Sequence, residues 1–467
     1  MRRWVGLFFI VMLLVSALSF TGVAAQRPNS TRQWLVFSDL SNSASSVMAS
    51  QIRLAGGTVN RSFGQVGVQL VTSSNANFAN QMSALGLVAA PNRRVPTFKP
   101  TNTVRMNVSG QSQGGLSNPY FPIQWNLQAV RAVEGWQHGR RGQGAQVAVL
   151  DEGFYLNDSD LDANFNTRLA ASFVPGETVQ WTLPNGFSHG THVSGIIAAE
   201  DNNIGTVGVA PKAQIIPVKV LSESLGYGED AWVLAGMLYA ASIHVDIVNM
   251  SLGGTCDINN PPDPDYDCGV SAREILSLKR MYNHVVKFMR SQGVTVIASA
   301  GNDAIDFDAN PNLIDLPAQA NGVLGISATG PYGWALNAAA DPREPASYSN
   351  YGRSTVDFAA PGGDFDLFFD IGLQSCTVTL PAGDLELPCY AFDMVVSPAE
   401  AGDEGEFVYW AAGTSMAAPH VAGIAAQIVG ANGGHMSPNQ VENALNRYAE
   451  NLRPKAFYGS GFARANR

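Results

Sequence analysis

Cysteine is scarce in this chain, with four in 467 residues. Those four lack the two-residue spacing and the nearby histidines that a zinc site uses, so a metal-stapled fold is excluded. Charge is scarce too: Asp, Glu, Lys and Arg make up 14%, and the formal net charge is −10. A nucleic-acid partner favours a basic surface, so none is expected. After Phe20 no apolar run approaches the ~17 residues that span a bilayer, which excludes a later membrane helix. The stretch AAGTSMAAPH, 411–420, also lacks the Gly-x-Ser-x-Gly elbow around its serine, which speaks against an esterase of that kind.

What is present is apolar bulk and glycine. A hydrophobic content of 46% with 47 glycines can bury a large core, with room for about three domain lengths. The first 25 residues read separately. Arg2 and Arg3 precede an apolar stretch, Val5 to Phe20, and then Gly22-Val23-Ala24-Ala25. That is the layout of a secretory signal peptide cut after Ala25, with an uncleaved anchor as the alternative. The expected product is secreted and soluble, free of the membrane once the signal is cut. In an exported chain Cys256, Cys268, Cys376 and Cys389 read as two disulfides. Sequential pairing is favoured among the three possible connectivities. The loop between the first two, CDINNPPDPDYDC, reads as a stiff solvated loop in preference to a calcium loop.

Residues 26–117 form a front unit with a linker. WLVFSD, SSVMASQIRLAG, TVNRSFGQVGVQLVTS, NANFANQMSALG and GLVAAPNRRVP give the order β-α-β-β-α-β, a small α+β domain. Met106 to Asn118, rich in Ser, Gly and Asn, reads as a flexible linker. The segment 26–117 holds eight Lys or Arg and one acid, Asp39, a net of +7. Setting aside two arginines in the leader, the rest holds 18 basic and 37 acidic residues, a net of −19. Opposite charges of this size favour docking of the front unit on the rest.

From residue 118 to 467 strands and helices alternate. AQVAVLD, AQIIPVKVL, VDIVNMSLG, GVTVIASAG and VLGISATG are apolar enough for strands buried on both faces of a parallel sheet. HGTHVSGIIAAE, EDAWVLAGMLYAASIH and SAREILSLKRMYNHVVKFMRS read as helices, the last with Ile275, Leu278, Met281, Val285 and Met289 on one face. The fold class is α/β, a doubly wound, mostly parallel sheet with helices on both faces. Ligands bind such sheets beyond the carboxyl ends of their strands.

Reactive groups stand at those ends. Asp151 closes AQVAVLD, His189 opens one helix and Ser415 another. A serine hydroxyl needs a histidine base, and the histidine needs a carboxylate to fix its tautomer. The small residues around Ser415 leave it open to approach, and unpaired N–H groups at its helix start favour negative charge there. Asn302, in SAGND, offers an amide to an oxyanion.

VAVLDEG, SHGTHVSG, SLGG, SAGND and AAGTSMAAPHVAG together resemble the motifs of the subtilisin-like serine peptidases, in that family's order Asp, His, Ser. The resemblance covers residues 118 to 467, and the ending YGSGFARA is similar to that domain's close. It implies a serine endopeptidase with Asp151 as orienting carboxylate, His189 as base and acid, Ser415 as nucleophile and Asn302 as oxyanion donor; His192 is expected to be structural. It implies that 26–117 is a propeptide, an intramolecular inhibitor and folding aid. Ser251, Leu252 and Gly253 would pair with an extended polypeptide substrate. Ser299, Ala300 and Gly301 would line the primary pocket, with Asp315 near its base, inviting Lys or Arg before the cut bond; the alternative places Asp315 on a surface loop. EDNNIGTVGVAP, 200–211, resembles the family's calcium loop: Asn202, the carbonyls of Ile204 and Thr206, Asp160 and Asn118 would hold Ca2+. The chain departs from the family at Glu152, where a small hydroxyl residue is usual. Glu152 is expected to point into solvent; facing the histidine it would raise the imidazole pKa. Two long stretches, 254–275 and 363–393, each hold one cysteine pair and would narrow the cleft or decorate the surface. A restricted processing peptidase is the alternative function, and an inactive binding module a third. A monomer is expected.

Overall fold

The computed structural model describes residues 31–38, 46–97, 103–107, 118–184, 186–259, 262–381, 383–402 and 405–466. The expected leader, and most of the expected linker, lie outside them.

Strands Arg32–Phe37, Gly57–Phe63, Val68–Ser73 and Val88–Pro91 with helices Ser46–Leu54 and Phe78–Ala84 give the front unit the expected β-α-β-β-α-β order. Its sheet runs second, third, first, fourth, all antiparallel. Alternation along the first strand sorts its side chains between two cores. Trp34 and Val36 face Ile52, Phe78 and Met82 of the helices. Leu35 and Phe37 join the core that contains Leu278 and Val285 of helix Ala272–Ser291. Front unit and main unit thus share a dry interface. The charge split shows in ion pairs: at this interface Arg32 Nη1 lies 2.8 Å from Glu274 Oε1, and farther along the chain Arg105 Nη2 lies 2.8 Å from Glu400 Oε1.

Two expectations change here. GLVAAPNRRVP is two strands, Val88–Pro91 and Arg94–Pro96, and the second leaves the front sheet to pair antiparallel with Tyr227–Glu229 of the main unit. The run breaks at Arg93, whose N–H is taken by the Asp230 carboxylate at 3.0 Å. Met106 and Asn107, placed in the linker, belong to strand Val104–Asn107, which pairs with Gly405–Ala411.

The main unit is built on seven strands in the order Phe358–Pro361, Val323–Thr329, Thr295–Ser299, Ile247–Met250, Gln146–Asp151, Gln214–Lys219 and Ala171–Ser172, each neighbour parallel. All five expected strands are in it. Val147 and Val149 feed the core shared with helices His189–Ala198 and Thr414–Ala431. Ala148 and Leu150 feed the opposite core, with helices Asp230–Ser242 and Ala272–Ser291. Double coverage explains why these strands read as continuous apolar runs. Ile275, Leu278, Met281, Val285 and Met289 are all fully buried, so the helical face expected of them is the packing face.

Both disulfides join neighbours in sequence, Cys256–Cys268 and Cys376–Cys389. In the first loop the Asp257 carboxylate accepts the N–H groups of Asn259 and Asp263 and the amide of Asn312. The loop is braced from within, as a stiff loop should be. The second disulfide closes the base of hairpin Ser375–Leu380 with Gly383–Pro388.

Candidate active site

The parallel sheet delivers its reactive groups to one edge. Asp151 is the last residue of strand Gln146–Asp151, and Ser251 follows the adjacent central strand Ile247–Met250. Next across, Thr295–Ser299 runs into Ala300, Gly301 and Asn302. Helices starting at His189 and Thr414 return from this edge. Ser188 caps the first, its hydroxyl accepting the Thr191 N–H at 3.2 Å.

His189 Nδ1 lies 2.9 Å from Asp151 Oδ1 and 3.0 Å from Oδ2, and Asp151 is wholly buried. The Glu152 N–H also donates to Asp151 Oδ1 at 2.8 Å. His189 Nε2 has no hydrogen-bond partner among the described residues. Burial alone would lower the His189 pKa, but the charge and hydrogen bond of Asp151, with the charge of Glu152, outweigh it and raise the value. The pair is a carboxylate-oriented imidazole with its far nitrogen free.

Ser415 is the second residue of helix Thr414–Ala431. Its hydroxyl donates to the Ser251 carbonyl at 3.4 Å, and the Ser251 hydroxyl donates to the Ser415 carbonyl at 2.8 Å. This reciprocal tie fixes the helix start on the strand beside Asp151. Asn302 is held by its oxygen, which accepts the Thr414 N–H and hydroxyl, each at 2.8 Å. That leaves its amide Nδ2 to donate. A Cβ built on Gly413 would stand 3.5 Å from Asn302 Nδ2 and 3.7 Å from the Ser415 N, so two donors border one space that glycine keeps clear.

Gly301 has φ +98°, and a Cβ there would meet Asn350 Nδ2 at 2.3 Å, so only glycine turns the chain between Ser299 and Asn302. Ser299, Ala300 and Leu252 are buried. Gly254 pairs with Leu316 and Thr255 with Asp315. Asp315 is 1% exposed, so it is not a surface loop residue. Its Oδ2 accepts the Thr255 hydroxyl at 3.1 Å, and its Oδ1 has no hydrogen-bond partner among the described residues. Burial lifts this carboxyl to about 7, against the pull of the Thr255 hydrogen bond and the Arg93 charge. His192, set aside as structural, is buried with Nε2 at 3.0 Å from the Tyr409 carbonyl, and burial pushes it down to about 3.

Glu152 corrects an expectation. It does not point into solvent: it is 8% exposed, and its Oε1 accepts the His189 N–H at 3.3 Å. Lys219, at the end of the neighbouring strand, donates to the Glu152 carbonyl at 2.6 Å and is itself held between Glu177 and Glu223, each at 3.0 Å. Burial lifts the Glu152 carboxyl to about 7; the His189 charge works against this and the Asp151 charge with it.

The expected calcium residues do come together. Asn118 Nδ2 is the meeting point of the Glu200, Ile204 and Thr206 carbonyls and Asn202 Oδ1. Asp160 touches the same loop, its Oδ2 accepting the Thr206 N–H at 2.8 Å while its Oδ1 is buried without a partner. Convergent oxygens with an orphaned carboxylate oxygen suit a hard cation of about six to eight oxygen ligands. The Glu200 carbonyl joins this group without having been expected there, because a backbone oxygen leaves no side-chain signature in sequence.

A profile of the subtilase family, peptidase family S8, matches residues 142–461. The chain belongs to the subtilase family. It is 32% identical to subtilisin NAT of Bacillus subtilis subsp. natto over 73% of its own length and 69% of that protein. It is 32% identical to the subtilisin of Bacillus pumilus over 73% of its length and 96% of that protein. This subtilase is therefore a serine endopeptidase, a hydrolase. Among solved structures an epidermin leader peptide processing serine protease from Staphylococcus aureus shares the fold with TM-score 0.67 at 19% identity, covering 93% of this chain and 97% of that one. A lanthipeptide protease shares it with TM-score 0.55 at 23% identity, over 75% of this chain and 97% of that one. Among the described residues no helix is long and apolar enough to cross a membrane.

Proposed function

We propose that this subtilase is a secreted endopeptidase, made as a zymogen, that cuts polypeptides through a covalent acyl-enzyme on Ser415. The observation that carries the reading is the Asp151–His189 couple at the same sheet edge as the tied pair Ser251–Ser415, with Asn302 tied to Thr414 through its oxygen so that Nδ2 remains to donate.

The steps follow from the atoms. Ser415 Oγ turns about χ1 from the Ser251 carbonyl toward His189 Nε2, which has no other partner. Hydrogen bonds of this kind are often long before substrate binds. As Oγ bonds to the substrate carbonyl carbon its proton passes to Nε2, and Asp151 stabilises the imidazolium. The carbonyl oxygen becomes an anion, received by Asn302 Nδ2 and the Ser415 N–H. Collapse breaks the C–N bond while Nε2–H protonates the leaving amine. Water, deprotonated by His189, then hydrolyses the ester and restores the hydroxyl.

Residues 26–117 act as propeptide. Strand Arg94–Pro96 lies along Tyr227–Glu229 in the way an extended substrate adds to a sheet edge, which keeps competing polypeptides out. Ser251 to Gly253 supply the facing edge. Asp315, with its unpartnered buried oxygen, favours Lys or Arg before the cut bond. Ca2+ held by Asn118, its amide turned to present Oδ1 in place of Nδ2, by Asp160, Asn202 and the carbonyls of Glu200, Ile204 and Thr206 would brace the loop that follows the His189 helix. The likeness to a leader-peptide processing protease favours a restricted substrate range as the second reading.

Casein hydrolysis by the exported chain, and its loss in Ser415→Ala, is the test. Equal hydrolysis by both would remove Ser415 from the reaction.

A further inference from the structure

Arg93 sits in the front unit, yet its side chain belongs to the main unit. It is 5% exposed. Its backbone exchanges two hydrogen bonds with Asp230, the N–H to Oδ2 and the carbonyl from the Asp230 N–H, each at 3.0 Å. Its Nε lies 3.5 Å from Asp230 Oδ2, and Nη1 reaches Cys256 Sγ at 2.9 Å and the Gly254 carbonyl at 3.4 Å. The Tyr282 hydroxyl donates to the other Asp230 oxygen at 2.7 Å. The pocket is thus walled by a carboxylate, a phenol and the Cys256–Cys268 bridge, and Asp315 is close enough to feel the Arg93 charge.

The fully buried Asp230 carboxyl pairs with this guanidinium. When the front unit departs it loses its counter-ion, and breaking a buried pair by removing one partner is strongly unfavourable. The pocket then favours the next cation offered. Its donors and acceptors are spread over a carboxylate, a sulfur and a carbonyl, which suits a planar guanidinium better than a compact ammonium. The backbone that offers Arg93 continues directly into the strand paired with Tyr227–Glu229, in register Arg94 to Glu229, Val95 to Gly228 and Pro96 to Tyr227. A polypeptide bound in that register places a side chain in the same pocket. Arg94 has no such pocket: it is exposed and its guanidinium lies over the Tyr227 ring, 4.4 Å from the centroid.

We propose that the pocket filled by Arg93 is an arginine-accepting subsite of the processed enzyme, selecting polypeptides with an arginine three residues before the position of Pro96. The proposal rests on the reading that the front unit is a removable inhibitor and that substrate adds along Tyr227–Glu229.

Two measurements test it. In the full chain carrying Arg93→Ala and Ser415→Ala, millimolar ethylguanidinium should raise Tm, and it should not do so with Asp230→Asn added or in the Ser415→Ala parent. Separately, the full chain, expressed and left to process, is given quenched peptides matching residues 88–107 with citrulline at position 93 or at 94. Citrulline keeps the shape and loses the charge. We expect kcat/KM to fall at least ~30-fold for the first, the loss typical of truncating a buried charge pair, and under ~3-fold for the second. Casein hydrolysis with equal rates on the native and citrulline-93 peptides overturns the subsite and leaves the function standing. Failure to cut casein at all overturns the function and the subsite with it.

Discussion

Replacing Glu152 by Gln probes the effect of one buried acid beside the His189 imidazole. Burial lifts its carboxyl from 4.5 to about 7. The folded state therefore holds a proton that the unfolded state has already released, so wild-type stability falls as pH rises from about 4.5 through 7. The shift corresponds to about 3 kcal/mol at the top of that window. Glutamine keeps an oxygen for the His189 N–H, cannot ionise, and escapes the loss. In a Ser415→Ala background, which prevents self-digestion, urea unfolding at pH 5 and pH 8 should show Glu152→Gln gaining about 2 to 3 kcal/mol on its parent between the two. The groups facing Glu152 are His189, Asp151 and Lys219. Its charge helps to raise the His189 pKa, so in the active enzyme the variant's acid limb of kcat/KM should move to lower pH. Parallel stability curves at both pH values would refute the buried-acid reasoning, and an unmoved acid limb would refute the coupling.

Asn302→Ala should lower kcat by about 10²–10³ with KM little changed, because the lost donor serves an oxyanion absent from the ground state; a change confined to KM would assign the residue to substrate binding. The two disulfides close loops of nearly equal length, 12 and 13 residues apart in sequence. Replacing either pair by serine should then cost a similar amount, about 3 kcal/mol, in unfolding measurements. Of the two, Cys256–Cys268 borders the Arg93 pocket, so its loss alone should weaken preference for arginine there. Chelation should lower the Tm of the full chain, and Asp160→Asn should abolish that dependence; a Tm indifferent to chelator would remove the calcium site.

The motifs told which residues gather at the sheet edge because each sits at a strand end or helix start, and those ends follow from apolar runs. Side-chain direction was less legible. Glu152 was expected in solvent; what ties its backbone instead is Lys219, 67 residues on. The break at Arg93 was invisible for a like reason, its acceptor Asp230 lying 137 residues away. Met106 and Asn107 were read with the Ser, Gly and Asn that follow them, and belong to a strand because Gly405–Ala411 presents an unpaired edge to Val104–Asn107. Local pattern recorded local structure; the partners that re-aim a chain are remote.

Between Thr97 and Thr103 the chain passes from one ladder to another, Arg94–Pro96 zipped to Tyr227–Glu229 and Val104–Asn107 zipped to Gly405–Ala411. Severing the covalent thread between these zippers frees neither flank. Each cut end must still unpeel from its own edge, and the upstream flank must also draw Arg93 from beside Asp230. The delay between scission and an open groove would then be set by two independent off-rates, the slower of which acts as the clock.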